Sequence, residues 1–213
     1  IGTGDWSSDV CSSDLEKELV VACQQASTEE FEAAYAKVYA LFKDRVFTIC
    51  FRVTNNRDDA LDAAQETMVT LARRIGDFAW RSRFSSWVYR IAVNSAIDVR
   101  RRRLDTTRAG VRTTVGGVET EKMQEATPAD ESTDPVRNAA RSESRLAVRE
   151  ALQHINPKFS SLLVLRYTQN LSYEEIAETL QCELGTVKSR LNRAHGALRD
   201  YLAQRGGSTL HLN

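Results

Sequence analysis

Five side chains between positions 186 and 193 carry recognition chemistry: Thr186, Lys188, Ser189, Arg190 and Arg193. Lysine and arginine reach phosphates or guanine edges, while hydroxyls and a helix N-terminus hold a phosphate. A second cluster interleaves Phe78, Trp80, Phe84, Trp87 and Tyr89 with Arg81, Arg83 and Arg90. Aromatic faces stack on unpaired bases and guanidinium groups hold the backbone, the chemistry of single-strand binding. Core packing competes with that reading for Phe78, Trp87 and Tyr89, whereas a loop position favours contact for Trp80 and Phe84. The run Arg100 to Arg103 ends the segment beside this cluster and adds attraction for phosphates.

Catalytic chemistry finds less support. Asp58, Asp59, Asp62 and Glu66 share one helical neighbourhood, but nothing basic or apolar beside them would shift their pKa values, so they read as an exposed polar face. The chain has no glycine-rich phosphate loop, nucleophile elbow or HExxH, and His154, His195 and His211 are far apart in sequence. The four cysteines (Cys11, Cys23, Cys50, Cys182) form no CxxC pair, and Cys50 and Cys182 read as small apolar packing residues. The expectation is a binding protein with no catalytic residue, cofactor, metal or small-molecule substrate.

These residues need elements to position them, and the pattern is helical throughout. Over 171–198, Ser172 and Glu175 form a capping box that opens a short helix with Ile176, Ala177 and Leu180 on one face. After a break at 181–183, a second helix begins near Gly185 or Thr186 and buries Val187, Leu191, Ala194 and Leu198. Two short helices with a tight turn, the second basic at its N-terminal end, make a helix-turn-helix. Upstream, Thr28 is the expected N-cap of a long helix whose stripe runs from Phe31 to Cys50. Asn55 and Asn56 interrupt it, and Asp58 caps a second helix with Ala60, Leu61, Ala64, Met68, Leu71 and Ile75 inside. Ser85 starts a third, with Val88, Ile91, Ala92, Ala96 and Val99 buried and Arg90, Asn94, Asp98 and Arg101 opposite. Asn156 and Pro157 read as an N-cap and first-turn proline.

Composition and boundaries fit an all-α protein of two small helical domains joined by a flexible linker. The 213 residues are 42% hydrophobic and 27% charged with a formal net charge of zero, so whole-chain charge gives no sign of nucleic acid. Residues 1–15 lack an initiator methionine, periodicity and a cap, resemble translated sequencing-adapter read-through, and are excluded from the expected fold. Residues 16–103 form the first domain, 104–135 a weakly acidic linker too apolar-poor to pack, 136–202 the second domain, and 203–213 a tail. With no membrane-length apolar run and no signal-peptide pattern, a cytoplasmic location is expected.

Both halves resemble one family, the extracytoplasmic-function (ECF) subfamily of the sigma-70 RNA polymerase sigma factors. The likeness rests on DDALDAAQETMVTLARR, FSSWVYRIAVNSAIDVRRRR and LSYEEIAETLQCELGTVKSRLNRAHGALRDYL, in that order. It implies that 16–103 is sigma region 2, binding core polymerase and the minus-10 element, and that 136–202 is region 4, binding the minus-35 element. Residue by residue, it implies core-polymerase docking by Asp62, Gln65 and Glu66 on the beta-prime coiled coil. It implies minus-10 reading and strand opening by Phe84, Trp87, Tyr89, Arg90 and Asn94, beside Trp80 and Arg101, and minus-35 reading by Thr186, Lys188, Ser189, Arg190 and Arg193. Partners implied are core RNA polymerase (beta-prime coiled coil and beta flap), promoter DNA and an anti-sigma factor. The chain departs from the family at Ala63, Ala64, Met68 and Arg73, where larger apolar or aromatic residues are usual, and at 155–157, where INP replaces leucine-proline-proline. Two other readings stay open: a stand-alone helix-turn-helix regulator binding an operator as a dimer, and a DNA recombinase using Ser82 between Arg81 and Arg83.

Overall fold

The computed structural model describes the backbone of residues 7–108 and 135–204 and the side chains of 14–105 and 143–204. Among the described residues eight α-helices follow in order: α1 (Ser7–Gln25), α2 (Thr28–Thr54), α3 (Arg57–Arg74), α4 (Phe84–Arg108), α5 (Pro135–His154), α6 (Pro157–Tyr167), α7 (Tyr173–Leu180) and α8 (Leu184–Gln204), with a 3-10 turn at Ile75–Asp77. No strand occurs among the described residues. Helices α2, α3 and α4 pack mutually with α1 alongside, and α6 and α8 form the centre of the second group.

The caps sit at their sequence signals or within two residues of them. Ser27, not Thr28, caps α2, its backbone N–H and hydroxyl both donating to the Glu30 carboxylate at 3.2 and 2.8 Å. Asn56, not Asp58, caps α3 by accepting the Asp59 N–H at 2.9 Å, and α4 begins at Phe84 rather than Ser85. Asn55 takes the left-handed conformation (φ 49°) that ends α2, as an asparagine tolerates. Asn156 accepts the Lys158 N–H at 2.9 Å ahead of Pro157, and Ser172 and Glu175 make both bonds of their box.

The first core holds Val38, Phe42, Val46, Ile49, Cys50, Leu71, Ile75, Val88, Ala92 and Ala96, all buried. On α3 the stripe is rotated relative to the sequence reading. Ala63 and Thr67 join Ala60, Met68 and Leu71 inside, while Leu61 is 50% exposed and Ala64 half-buried. Spacing of three and four from Ala60 leads to Ala63 and Thr67, and Leu61 sits a further 100° or so round the helix. Thr67 is tolerated there because its hydroxyl donates to the Ala63 carbonyl at 2.7 Å. Burial pushes the Cys50 thiol up to about 12, so it stays protonated, as a packing residue should. Cys23 is also buried and Cys182 half-buried; the side chain of Cys11 lies outside the described residues.

Two segments set aside in the sequence reading are helical. The helix containing Glu16 continues back to Ser7, because Val20 and Cys23 anchor its C-terminal half and propagation from a formed turn is easy. Likewise α4 runs through residues 104–108; the remainder of the expected linker, 109–134, lies outside the described residues. In the second group Val187, Leu191, Ala194 and Leu198 are buried as one stripe of α8, against Ile176 of α7 and Leu162, Leu163 and Leu165 of α6.

Both the cap and the stripe of the helix-turn-helix carry measurable stability. Ser172→Ala should lower the unfolding free energy by about 1 kcal/mol, the usual cost of losing an N-cap. Leu191→Ala should cost about 3 kcal/mol, in the range for a buried leucine. Urea titrations followed by circular dichroism measure both, and a Leu191→Ala loss no larger than the cap's would contradict the packing described.

Candidate nucleic-acid interface

On α8 the basic face is open. Lys188, Ser189, Arg190 and Arg193 are exposed and Thr186 half-buried, on the side opposite the buried stripe. The Ser189 hydroxyl donates to the Thr186 carbonyl at 3.0 Å, which leaves its oxygen lone pairs for a donor outside. The turn that presents this helix is closed by Gln181 in the left-handed conformation (φ 50°), with the Cys182 N–H donating to Ala177 O at 3.0 Å. Arg166 ties α6 to the same corner by donating to Leu171 O at 2.8 Å and lying over the Tyr173 ring at 5.3 Å.

The aromatic cluster behaves differently. Phe84, Trp87 and Tyr89 are 3%, 8% and 5% exposed, so they do not present rings to solvent; for Trp87 and Tyr89 this is the core packing the sequence left open, while for Phe84 it departs from the expected loop contact. Phe42, Phe78, Phe84 and Trp87 instead form one nest of edge-on and tilted rings, with centroid separations of 5.4 Å (Phe42–Phe84), 5.3 Å (Phe78–Phe84), 5.1 Å (Phe78–Trp87) and 5.7 Å (Phe84–Trp87). Such contacts favour burial over exposure to bases. Trp80 is the ring left outside. It is 42% exposed, sits edge-on to Phe78 at 5.2 Å, and holds a left-handed backbone (φ 57°) that a bulky residue adopts only when its surroundings impose it.

The outer face of α4 carries half-buried Arg90 and exposed Asn94 and Arg101 at helical spacing, as expected. Burial, and secondarily the neighbouring Arg74 charge, lower the Arg90 pKa; two guanidinium groups placed together attract an anion. The four consecutive arginines are divided among separate tasks. Arg102 pairs with Glu66 at 2.7 Å and Arg103 with Asp59 at 2.8 Å, joining α4 to α3. Arg101 is exposed beside Asp98 and Asp105. Arg100 is buried. Asp62, Gln65 and Glu66 are exposed on α3 and line an open groove with Val69, Val99, Arg102 and Arg103. No group of acids, histidines and cysteines among the described residues is arranged to hold a metal, and no described helix is long and apolar enough to cross a membrane.

Several supporting residues escaped the sequence reading. Buried Glu16 of α1 accepts the Ser85 N–H at 3.3 Å and so caps α4; desolvation raises its pKa, opposed by that bond and by Arg45. Gln24 donates to Ile75 O at 3.3 Å and Phe78 O at 2.9 Å, fixing the turn that leads into the Trp80 loop. Arg83 reaches α7, its backbone N–H donating to Glu178 at 2.9 Å and its side chain to Glu175 at 2.8 Å. A polar residue ten or more positions from its partner leaves no periodic signal, so only the fold reveals these pairs.

An all-α chain with a helix-turn-helix and a second basic, aromatic-edged surface belongs to the class of DNA-binding transcription proteins. Comparison with known proteins places it within that class. The sigma-70 region 2 family matches residues 38–105 and the sigma-70 region 4 family residues 145–198. The chain is 34% identical over 168 residues to the ECF RNA polymerase sigma factor SigE of Mycolicibacterium smegmatis, covering 78% of this chain and 60% of that protein's length. It is 32% identical over 170 residues to SigW of Bacillus subtilis, covering 79% of this chain and 89% of that one. Among solved structures, its fold is similar to CnrH bound to the cytosolic domain of CnrY (TM-score 0.60, 19% identity, covering 90% of this chain and 99% of that one). It is also similar to RpoE bound to the anti-sigma factor NepR from Bartonella quintana (TM-score 0.56, 20% identity, covering 79% and 96%). The chain belongs to the ECF group of sigma-70 RNA polymerase sigma factors, and as such it directs transcription initiation by core RNA polymerase at promoter DNA.

Burial separates the aromatic residues by role. Phe84→Ala should destabilise the chain by about 3–5 kcal/mol, as for a fully packed phenylalanine. Trp80→Ala should change stability by no more than about 0.5 kcal/mol, as at an exposed site, while reducing promoter opening read by permanganate footprinting. Equal destabilisation by the two would overturn this division.

Proposed function

We propose that the two basic surfaces divide promoter recognition between them: α8 reads the minus-35 element in the major groove, and the Trp80 loop with the outer face of α4 holds the unpaired minus-10 strand. The observation that carries this is the exposure of Lys188, Ser189, Arg190 and Arg193 on one face of a helix whose opposite stripe is buried. On the minus-10 side, Trp80, Arg90, Asn94 and Arg101 are the contact groups, while Phe84, Trp87 and Tyr89 hold the loop and α4 in place from within. Core polymerase docks on α3 through Asp62, Gln65 and Glu66, with the apolar side chains of Leu61 and Val69 exposed beside them. The beta-prime coiled coil is the docking partner on that face, and the beta flap meets the second domain. On this reading the domains divide as region 2 over 16–103 and region 4 over 136–202, joined by the intervening chain.

The role is non-enzymatic and cytoplasmic. On this reading the protein supplies affinity and placement while polymerase carries the reaction. Two relatives in fold were solved with a bound partner, NepR being an anti-sigma factor by its description, which supports an anti-sigma partner here. A stand-alone operator-binding regulator would act without polymerase, and the region 2 match argues against it.

Transcription by purified core polymerase on fragmented genomic DNA, with and without the protein, tests the reading. New start sites sharing two spaced upstream elements are expected. Arg190→Ala or Arg193→Ala should weaken promoter binding by about 1–3 kcal/mol where the arginine contacts a base, and relax selectivity in the minus-35 element alone. Unchanged selectivity in both variants would remove α8 from the recognition surface.

A further inference from the structure

A carboxylate and a carboxamide on one stripe of α1 reach into the first domain, where apolar residues would pack at lower cost. Glu16, Val20, Cys23 and Gln24 follow at i, i+4, i+7 and i+8, so they share one face of the helix. Val20 and Cys23 are buried and fasten that face to the core. The two polar residues at its ends go to the two ends of a single loop. At the entry, Gln24 Nε2 donates to Ile75 O at 3.3 Å and to Phe78 O at 2.9 Å, closing the turn after α3. At the exit, Glu16 accepts the Ser85 N–H at 3.3 Å in the first turn of α4. Backbone donors there lack helical partners, and a carboxylate complements the helix dipole. Glu16 is buried, although glutamate is among the residue types least often found inside without a partner. Residues 79–83, Trp80 among them, run between these anchors and are exposed or half-buried. The Trp80 ring leans edge-on against Phe78, the residue whose carbonyl Gln24 holds.

Resting on the minus-10 reading above, we propose that α1 is a splint for the Trp80 loop, with Gln24 and Glu16 as positioning residues for promoter opening. Neither touches a base; together they set where the Trp80 ring stands. Eight residues separate the two side chains on α1, a rise of about 12 Å. Phe78 and Ser85, seven residues apart, could stand up to about 24 Å apart in extended chain. Held nearer than that, the loop bows outward, and Trp80 takes its left-handed backbone (φ 57°). A bulky residue keeps that conformation only while its surroundings impose it. Losing either anchor therefore lets Trp80 return to an ordinary conformation and swings its ring away from the place where it meets an unpaired base. The nest of rings beneath holds side chains, whereas the α1 bonds set the direction of the backbone at each end of the loop.

Hydrogen exchange by mass spectrometry on the free full-length chain, and permanganate footprinting with core polymerase on the same proteins, form the test. Gln24→Met keeps the side-chain length and removes both donors; Glu16→Leu removes the acceptor. Each is also combined with Trp80→Ala. In each single variant, folded by circular dichroism, exchange should rise over residues 78–85 and keep the wild-type rate in α8. Promoter opening should fall by about fivefold or more, the lower end of what one stacked base contributes. In the Trp80→Ala background neither substitution should lower opening further, because the ring that both position is gone. Fold losses that multiply would mean that α1 acts through stability alone and would overturn the splint. Wild-type exchange in Gln24→Met, or wild-type opening in Gln24→Met where Trp80→Ala is impaired, overturns it too. Should Glu16→Leu fail to fold, Gln24→Met decides alone, since its position is half-buried. Wild-type opening by Trp80→Ala, with exchange still raised in Gln24→Met, would instead overturn the minus-10 reading and leave α1 as the support of the loop.

Discussion

A buried guanidinium with no carboxylate among its hydrogen-bond partners is the constraint around which the two halves are arranged. Moving a charge out of water is costly unless its hydrogen bonds are replaced, and Arg100 replaces them with the carbonyl ends of two helices and a serine hydroxyl. Desolvation lowers its pKa, yet a guanidinium stays charged throughout the physiological range, so the charge has to be accommodated by geometry. That geometry fixes where α2 ends, where α5 ends and how α6 starts. The Asn55 left-handed stop, the Asn156 cap and Pro157 then read as parts of one arrangement: they terminate and begin helices where the carbonyls must converge.

In the first half, a nest of rings does similar work by apolar means. Phe42, Phe78, Phe84 and Trp87 lock the turn after α3 to the start of α4, and Gln24 and Glu16 of α1 hold that turn and that helix start with hydrogen bonds. The loop between them is thereby short and over-determined, which is the condition under which a tryptophan is held at positive φ with its ring outward. The exposed ring is thus a product of the buried ones.

Periodicity made most helices legible. The α8 stripe, the Ser172 box and the Asn156–Pro157 start follow from local chemistry, which is why they lie where the sequence places them. The family resemblance rested on the same local stretches. Burial was harder to read where residue type and position disagree. Aromatic residues among arginines fit a stacking surface or a core equally well by composition, and only tertiary packing sent Phe84, Trp87 and Tyr89 inward. Leu61 and Thr67 show the same limit in reverse, since facing direction rather than hydrophobicity decided which was buried. The run of four arginines carried no information about partition, because consecutive residues on a helix point about 100° apart and meet different neighbours.

That partition bears on how a chain of zero net charge binds a polyanion. Affinity for DNA comes from local cations that neutralise phosphates and release counterions. On α8, Lys188, Arg190 and Arg193 have no carboxylate partner among the described residues and face outward, ready to do this at once. In the first domain Arg83, Arg102 and Arg103 already bond to the chain's own acids, and Arg100 to its carbonyls. Any phosphate must displace those partners, so the net gain per contact is smaller and depends on what happens to the acids left behind. For Glu66 that consequence is specific: an Arg102 drawn to DNA would leave its carboxylate uncovered on the α3 face proposed above for polymerase docking. On that proposal promoter contact and polymerase contact share one ion pair, which couples two surfaces that lie on different helices.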